Sequence, residues 1–270
     1  MIGKSNGAIS VINAIPCGIG ATIGISLQTR AQFTEAESTN IELIGEHDLD
    51  DRLVRLCVKR TLDAIGISTG YQYRLVVKSQ IPPSRGLKSS SSVCDAVVDA
   101  VLNAFGETMD ECDRLRIGVE CSKEAGVSIT GAFDDACGCH FGGLVFTDNT
   151  KNIILERREI PDYDVVLWIP DDSIPKNKVP RDAYISRKDE FAEALALAYD
   201  DPLAAMTMNG RLVAEIVGSG MEIIDLALDN GALAAGVSGT GPAIAIVTEL
   251  AQGNKMAEII GGNTIVTGTR

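Results

Sequence analysis

PPSRGLKSSSSVCDAVVDAVLNAF, residues 82–105, joins a proline- and serine-rich loop to an apolar helix pattern. Small apolar residues recur at spacings of three and four from Val93 to Ala104, which predicts a helix with one face on a core. A helix N-terminus presents unpaired N–H groups and the positive end of its dipole, and a loop of small residues lets an anion reach them. The segment therefore predicts a phosphate site, in which serines cap the helix, donate to phosphate oxygens or bind Mg²⁺.

The same segment also has an ordinary structural interpretation. Serine is a preferred N-cap residue, so the run of serines is equally typical of a turn that caps a core helix. Two familiar nucleotide motifs are absent from the sequence, GxxxxGK[ST] and a GxGxxG that opens a strand–helix unit. The segment is therefore neither a Walker P-loop nor a dinucleotide fingerprint.

Composition and charge limit the class of protein. The chain has 270 residues, enough for one large domain or two lobes that share a core. A net charge of −13 disfavours a general nucleic-acid binder, which needs a basic face. Seven scattered cysteines and no signal peptide predict reduced thiols in a cytoplasm, and Cys137 and Cys139 are interpreted as structural thiols rather than zinc ligands. No apolar run reaches the ~18 residues of a membrane span.

Two further segments carry candidate chemistry. Gly236–Pro242 (GVSGTGP) has three glycines within six residues, which permits backbone conformations closed to other residues. Together with the proline- and serine-rich loop, this segment could hold a ligand from two sides. Asp134 and Asp135 stand in a stretch rich in glycine and alanine, and they predict either a base that accepts a hydroxyl proton or the capping acids of a helix.

Periodic patterns predict alternating strands and helices along the remaining chain. Apolar runs at 9–15 and 23–27 predict two strands around a glycine turn, and 31–46 a third strand region. Helical patterns cover 49–66, 110–125 and 188–229, the last with breaks near Pro202 and Gly218. Short strands are predicted at 71–77, 127–129, 144–146, 165–169, 243–247 and 263–269. The polar segment 171–187 is interpreted as an exposed loop or lid, whose basic residues meet an anionic substrate or are solvated: Lys176, Lys178, Arg181 and Arg187.

Three of these segments together resemble the GHMP kinases, a family that includes galactokinase, homoserine kinase and mevalonate kinase. Pro82-x-x-x-Gly86-Leu87-x-Ser89-Ser90-Ser91 is similar to the phosphate-binding motif of the family, and Ser238-Gly239-Thr240-Gly241-Pro242 to its C-terminal glycine motif. Asp134-Asp135 followed by Gly142-Gly143-Leu144 resembles the segment that holds its catalytic aspartate. The order and spacing match along essentially the whole chain.

Smaller details resemble the archaeal-type shikimate kinases within that family. They are Asn13-Ala14-Ile15, the GLKSSSS run at 86–92 and TGAFDDA at 130–136. Ser92 is a departure, because many relatives have alanine there. This group does not share the fold of the P-loop shikimate kinases of bacteria, which agrees with the missing Walker motif.

The resemblance implies an α+β fold of two lobes. Residues 1–155 would form a lobe similar to ribosomal protein S5 domain 2, with the ATP loop, and residues 156–270 a ferredoxin-like lobe. The implied reaction is phosphorylation of the 3-hydroxyl of shikimate by ATP with Mg²⁺, in chorismate and aromatic amino-acid biosynthesis. We therefore expect a cytoplasmic monomer or homodimer whose partners are ATP and shikimate, with no nucleic acid and no membrane.

The resemblance also implies roles for particular residues. Asp134 and Asp135 are the catalytic candidates, and Asp134 is favoured because its distance to Gly142-Gly143 better resembles relatives with an Asp-Asn pair. Ser90 and Glu124 are the metal candidates, with Glu120 as an alternative, although a solvated helix face is the favoured interpretation for either glutamate alone. The candidates for ATP binding are Pro83, Ser84, Arg85, Gly86, Leu87, Lys88, Ser89, Ser90, Ser91, Ser92, Gly239, Thr240 and Gly241.

Other positions stay open. Lys88 is interpreted either as a point charge on a phosphate or as a solvated loop lysine. Lys4 lies near the place where some GHMP kinases carry a catalytic lysine, but no motif surrounds it. An arginine should clamp the substrate carboxylate, with Arg85, Arg181 and Arg187 as candidates. A homoserine kinase of the same fold and a non-catalytic binding module are the competing hypotheses; the TGAFDDA and NAI details favour shikimate, and the intact Asp134 and serine loop favour catalysis.

Overall fold

A computed structural model describes residues 1–45, 51–67, 70–128, 131–171 and 179–270. The strands are β1 Ile2–Ile12, β2 Ile19–Glu35, β3 Asn40–Ile44, β4 Tyr73–Ser79, β5 Leu144–Asp148, β6 Ile153–Arg158, β7 Asp164–Trp168, β8 Ala234–Val237, β9 Ile244–Thr248 and β10 Thr264–Gly268. The helices are α1 Ala14–Cys17, α2 Arg52–Ala64, α3 Ser89–Phe105, α4 Glu111–Glu124, α5 Phe133–Phe141, α6 Arg181–Ser186, α7 Lys188–Ala198, α8 Pro202–Val217, α9 Met221–Asp229 and α10 Gly253–Ile260.

The first sheet is organised by the long strand β2. Its order is β3-β4-β2-β5-β6, and β1 also pairs with β2. The first part of β2 pairs with β5 at Ile19–Ile23, and its second part pairs with β4 at Thr29–Glu35. One strand of 17 residues therefore joins two halves of the sheet, which brings the start of β2 next to the segment that follows α5.

The connection between β1 and β2 contains a single helical turn, α1. The side chain of Asn13 accepts from the amide of Ile15 and caps this turn, and Gly18 ends it with a φ of 74°. The glycine turn predicted here from residues 16–20 is thus a capped helical turn. Its cap matters for the site, because Asn13 also donates to the carbonyl of Gly239.

Helix α3 packs against β1 and β2 and is buried for most of its length. Gly3 of β1 allows a very close approach, since a Cβ there would lie 2.1 Å from the carbonyl oxygen of Ala96. Close packing of this kind fixes the axis of α3, and therefore the position of its N-terminal turn.

The second sheet has the order β10-β7-β9-β8, and all its pairs are antiparallel. The change of sheet lies between Arg158, the end of β6, and Asp164, the start of β7. One core cluster spans both sheets, because Ile9 and Phe146 of the first belong to it together with Val165 and Val247 of the second. The two lobes are joined by shared apolar packing, which holds the loops of one lobe against the other.

Several elements differ from the sequence patterns. Strands β6 and β8 and helix α10 were not predicted. The two strands are short and show no clean alternation, and α10 has a helical apolar spacing at Met256, Ile259 and Ile260 but only eight residues. Residues 127 and 128 do not form the predicted strand, and Ile129 and Thr130 lie outside the described residues, as do Lys176 and Lys178. Among the described helices none combines the length and the apolar composition needed to cross a membrane.

Candidate active site

The serine loop ends in a backbone reversal at the start of α3. Gly86 and Lys88 have φ angles of 80° and 67°, and Lys88, not a serine, is the N-cap residue. The side chain of Lys88 makes no capping hydrogen bond among the described residues. The amides of the first turn therefore point out of the helix without a side-chain cap from this position, as an anion site requires. Ser89 and Ser91 are buried here, and Ser90 is half-buried.

The two glycine-rich loops, about 150 residues apart in sequence, touch directly. Ser238 donates through Oγ to the carbonyl of Gly86 over 2.9 Å, and the amide of Ala243 donates to the carbonyl of Arg85 over 3.1 Å. A Cβ on Gly86 would lie 2.0 Å from the carbonyl oxygen of Ser238, so only glycine allows this approach. The structure thus brings together the two segments that were predicted to hold a ligand from two sides.

Lys88 lies inside the protein. Only 8% of it is exposed, and its Nζ is 2.8 Å from Oδ1 of Asp135 and 2.7 Å from Oγ of Ser10. The interpretation of Lys88 as a solvated loop lysine is therefore wrong. A buried ammonium is tolerated when it is paired, and the Asp135 carboxylate supplies the pair.

Asp134 lies in the first turn of α5 and is 6% exposed. Asn149, just after β5, receives a hydrogen bond from the Asp134 amide over 3.0 Å and donates from Nδ2 to Oδ1 of Asp134 over 2.7 Å. On the other side, a Cβ on Gly20 of β2 would lie 2.3 Å from Oδ2 of Asp134. The carboxylate is thus fixed between the two strands that β2–β5 pairing brings together.

The charge balance around Asp134 raises its pKa to about 6. Burial is the main cause, because it penalises the charged carboxylate, and the neighbouring negative charge of Asp135 adds to it. The Lys88 ammonium and the hydrogen bond from Asn149 act in the opposite direction. A carboxyl whose pKa lies close to neutrality is suited to accept a proton from a hydroxyl.

Asn149 and Gly20 are site residues that the sequence patterns did not indicate. Thr147 orients the side-chain amide of Asn149, because Oγ1 of Thr147 donates to Oδ1 of Asn149 over 2.8 Å. Nδ2 of Asn149 then faces Asp134 and donates to it. The Asp148-Asn149 turn after a buried strand was the available signal, since asparagine is frequent in such turns. Gly20 carried no signal beyond its membership of the predicted glycine turn.

The metal candidates are not brought together as a preformed metal centre. Glu124 pairs with Arg60 of α2 over 2.6 Å at the surface, and Glu120 lies 3.1 Å from Lys123. Within the described ranges no group of three or more Asp, Glu, His or Cys side chains is placed to hold a metal. Burial raises the pKa of the Cys137 and Cys139 thiols, which favours the protonated form over the thiolate that zinc needs.

The other basic candidates have different surroundings. Lys4 lies on β1, six residues before Ser10, which is roughly 20 Å along a strand. Arg187 is held by Glu190 and Glu215, so both sides of its guanidinium fork are occupied. Arg85 donates from Nη2 to the carbonyl of Asp171, while its buried Nη1 has no hydrogen-bond partner in the described part of the chain. Arg181 is exposed.

Comparison with known proteins identifies the class to which this fold and site belong. Residues 52–143 match the GHMP kinases N terminal domain, and residues 185–263 match the GHMP kinases C terminal domain. The Methanococcus jannaschii mevalonate kinase structure superposes with a TM-score of 0.80 at 18% identity, covering 100% of this chain and 98% of that one. The homoserine kinase structure from Cytophaga hutchinsonii gives 0.73 at 16% identity, covering 100% and 94%. The predicted two-lobed α+β GHMP kinase fold is confirmed.

Closer relatives place the chain within that class. The shikimate kinase of Methanothrix thermoacetophila is 39% identical over 265 residues, which cover 96% of this chain and 90% of that protein. The shikimate kinase of Pyrococcus furiosus is 34% identical and covers 100% of this chain and 99% of its own length. This chain belongs to the archaeal shikimate kinase family of the GHMP kinases.

Proposed function

We propose that this protein transfers the γ-phosphoryl group of ATP to the 3-hydroxyl of shikimate. The observation that carries the proposal is the meeting of a buried carboxylate, Asp134, a buried ammonium, Lys88, and the N-terminus of α3 at one place in the fold. The identity of the acceptor follows from the shikimate kinases that this chain resembles along most of its length. Such an enzyme would work in the cytoplasm, as a monomer or a homodimer.

The phosphates of ATP would bind over residues 83–92. Amides at the start of α3 and the hydroxyls of Ser89, Ser90 and Ser91 are the donors, and residues 239–241 would close the site from the C-terminal lobe. Phosphoryl transfer depends mainly on positioning and on neutralising charge, so a cation fixed beside these donors would stabilise the charge on the transferred phosphoryl group. Lys88 supplies that cation.

The residues present fit Mg²⁺ that arrives with the nucleotide. This ion prefers oxygen ligands and commonly takes one or two from a protein, with phosphates and water completing the set. Ser90 is half-buried at the start of α3, where its hydroxyl is suited to such a ligand, whereas Glu124 would first have to leave Arg60. When bound, the ion would neutralise charge on the β- and γ-phosphates.

Asp134 would orient the acceptor hydroxyl and take its proton. Its Oδ1 is fixed by Asn149, which leaves Oδ2 to accept from the substrate. Asp135 is engaged with Lys88, so it serves as the counter-ion of the lysine and not as a second base. The substrate carboxylate needs a cationic partner. Among the described residues, the buried Nη1 of Arg85 has no hydrogen-bond partner, and Arg85 lies beside both glycine loops, which makes it the candidate that we favour.

The pH dependence of turnover tests the role of Asp134. Because the ionised form accepts the proton, kcat/KM should rise with pH through about 6 and level off above it. Asp135→Asn removes a negative charge that raises the pKa of Asp134, so its acid limb should move to lower pH. A pH profile of kcat/KM from 4.5 to 8.5 for both proteins measures this. A limb that stays in place, or moves to higher pH, would contradict the assignment.

A coupled ADP-release assay with Mg-ATP tests the reaction itself, with shikimate and homoserine as parallel acceptors. Turnover with shikimate and not with homoserine is the expected result. Turnover with homoserine alone would keep the ATP site and overturn the acceptor. Folded protein that binds ATP and turns over neither acceptor would favour another acceptor or a binding module.

A further inference from the structure

A buried serine of β1, Ser10, connects the charged centre of the site to both glycine loops. Its Oγ accepts a hydrogen bond from Nζ of Lys88 over 2.7 Å and another from the amide of Gly239 over 2.9 Å. A serine hydroxyl has two acceptor lone pairs, so these two bonds use its full capacity as an acceptor. The side chain is 3% exposed, which keeps water from replacing either bond.

The backbone of Ser10 strengthens the same connection. Its amide donates to Oγ of Ser238 over 3.2 Å, and that hydroxyl donates to the carbonyl of Gly86. The Cα of Gly239 in turn faces the lysine, since a Cβ there would lie 2.9 Å from Nζ of Lys88. One residue of the first strand thus contacts the lysine of the serine loop and the turn of the C-terminal loop together.

Within the described residues, the ammonium of Lys88 is only partly used by protein partners. In the ranges that the structure describes, Asp135 and Ser10 account for two of its three protons. The Asp135 carboxylate and the Ser10 hydroxyl approach Nζ from two elements, α5 and β1, and fix its position from both. The remaining proton is the one left for a ligand oxygen.

We propose that Ser10 is a positioning residue for phosphoryl transfer, which holds the Lys88 ammonium where it meets the transferred phosphoryl group. The inference rests on the proposed function, because it assumes that a γ-phosphate binds at the serine loop. Ser10 itself touches neither ATP nor acceptor and acts through Lys88. Without its hydroxyl, the ammonium keeps Asp135 as partner but loses the second contact that sets its direction.

The kinetic test compares Ser10→Ala in two backgrounds. In the wild-type chain we expect kcat to fall about tenfold to a hundredfold, as for loss of a hydrogen bond to a charged group, with the KM for shikimate within about threefold. In a Lys88→Met/Asp135→Asn background, which removes both charges of the pair and leaves no unpaired ion, the same change should lower kcat by less than about threefold. An equal loss in both backgrounds would overturn the proposal.

A binding measurement works without any acceptor. Calorimetry gives the ratio of Kd for Mg-ADP to Kd for a non-hydrolysable Mg-ATP analogue, which reports the contact to the γ-phosphate. Ser10→Ala should lower this ratio in the same direction as Lys88→Met/Asp135→Asn does, and an unchanged ratio would refute the role of Ser10. If the wild-type chain phosphorylates no acceptor, the proposed function fails, and this ratio still decides the question of Ser10.

Two further variants keep the test decisive. Ser5→Ala removes the hydroxyl of another buried serine of β1, near the opposite end of the strand, and should leave kcat within about threefold. If Ser10→Ala does not fold, Ser10→Cys serves in its place, because a thiol is close in size and only a weak acceptor. Wild-type kcat and wild-type binding ratio in a folded Ser10→Cys variant would likewise overturn the proposal.

Discussion

Asp134→Asn is expected to remove turnover and to stabilise the folded protein. An amide cannot take the hydroxyl proton, so kcat should fall by about 10²–10⁴ or more, the range typical of a lost general base. ATP affinity should change little, because the serine loop and Lys88 are untouched. Steady-state kinetics and calorimetry with Mg-ADP measure the two effects separately, and near-normal turnover would refute the assignment of Asp134.

The gain in stability follows from the raised pKa of Asp134. The folded-state pKa of about 6 exceeds the usual value near 3.8, so ionisation at neutral pH costs the folded state free energy. A shift of about two pKa units corresponds to roughly 3 kcal/mol, and we expect Asp134→Asn to recover about 1–3 kcal/mol of the free energy of unfolding. This cost is absent below pH 4 and complete above pH 6.

Thermal unfolding at two pH values checks this sign. At about 2–4 °C for each kcal/mol in a chain of this size, the Tm of Asp134→Asn should exceed that of the wild type by several degrees at pH 7.5, and the difference should shrink toward pH 4. Asp63→Asn, on the exposed face of α2, is the control; it should neither raise Tm nor alter turnover. A lower Tm for Asp134→Asn at pH 7.5 would show that its charge is stabilised and not penalised.

Gly20→Ala should also have a large effect on turnover. Gly20 has an ordinary strand backbone, so alanine is allowed there, but its Cβ would lie 2.3 Å from Oδ2 of Asp134 and 2.7 Å from the Asp134 Cβ. The short aspartate side chain cannot give way by rotating its far end, so the carboxylate must shift. A displacement of about 1 Å at a reacting group costs on the order of a hundredfold, and we expect kcat/KM to fall at least that far.

A second strand glycine provides the control for this substitution. The nearest atoms to a Cβ on Gly7 of β1 would be side-chain carbons of Ile25 and Ile81, at 3.2 and 3.3 Å. Gly7→Ala should therefore keep kcat/KM within about threefold, with a small change in Tm. If Gly20→Ala were as active as Gly7→Ala, the position of the Asp134 carboxylate would not matter for turnover.

The local signals in the sequence were enough for the framework of the site. The apolar period of residues 93–104 predicted α3, and the serine loop before it predicted where an anion would meet the helix. The placement of the two adjacent aspartates at the start of a helix was among the interpretations considered, and the structure has them in the first turn of α5. These features depend on neighbours in sequence, which is why periodicity and capping preferences reveal them.

The remaining site residues depend on pairing between distant strands. Asn149 and Gly20 meet Asp134 only because the start of β2 pairs with β5, and no local pattern carries that register. For Lys88 the sequence left two interpretations, a point charge on a phosphate and a solvated loop lysine, because lysine is usually exposed. Its burial follows from Asp135 on α5 and Ser10 on β1, which lie 47 and 78 residues away in sequence. The same reason explains why Ser10 was missed.

The most direct test of the proposed function is the chemical identity of the product. Wild-type protein, Mg-ATP and shikimate are incubated to completion, and ¹H and ³¹P NMR locate the new phosphate while ADP is quantified. We expect one product, shikimate 3-phosphate, formed in equal amount with ADP by the wild type and not by Asp134→Asn. A phosphate on another hydroxyl, ADP formed without any phosphorylated shikimate, or the same product from Asp134→Asn would contradict it.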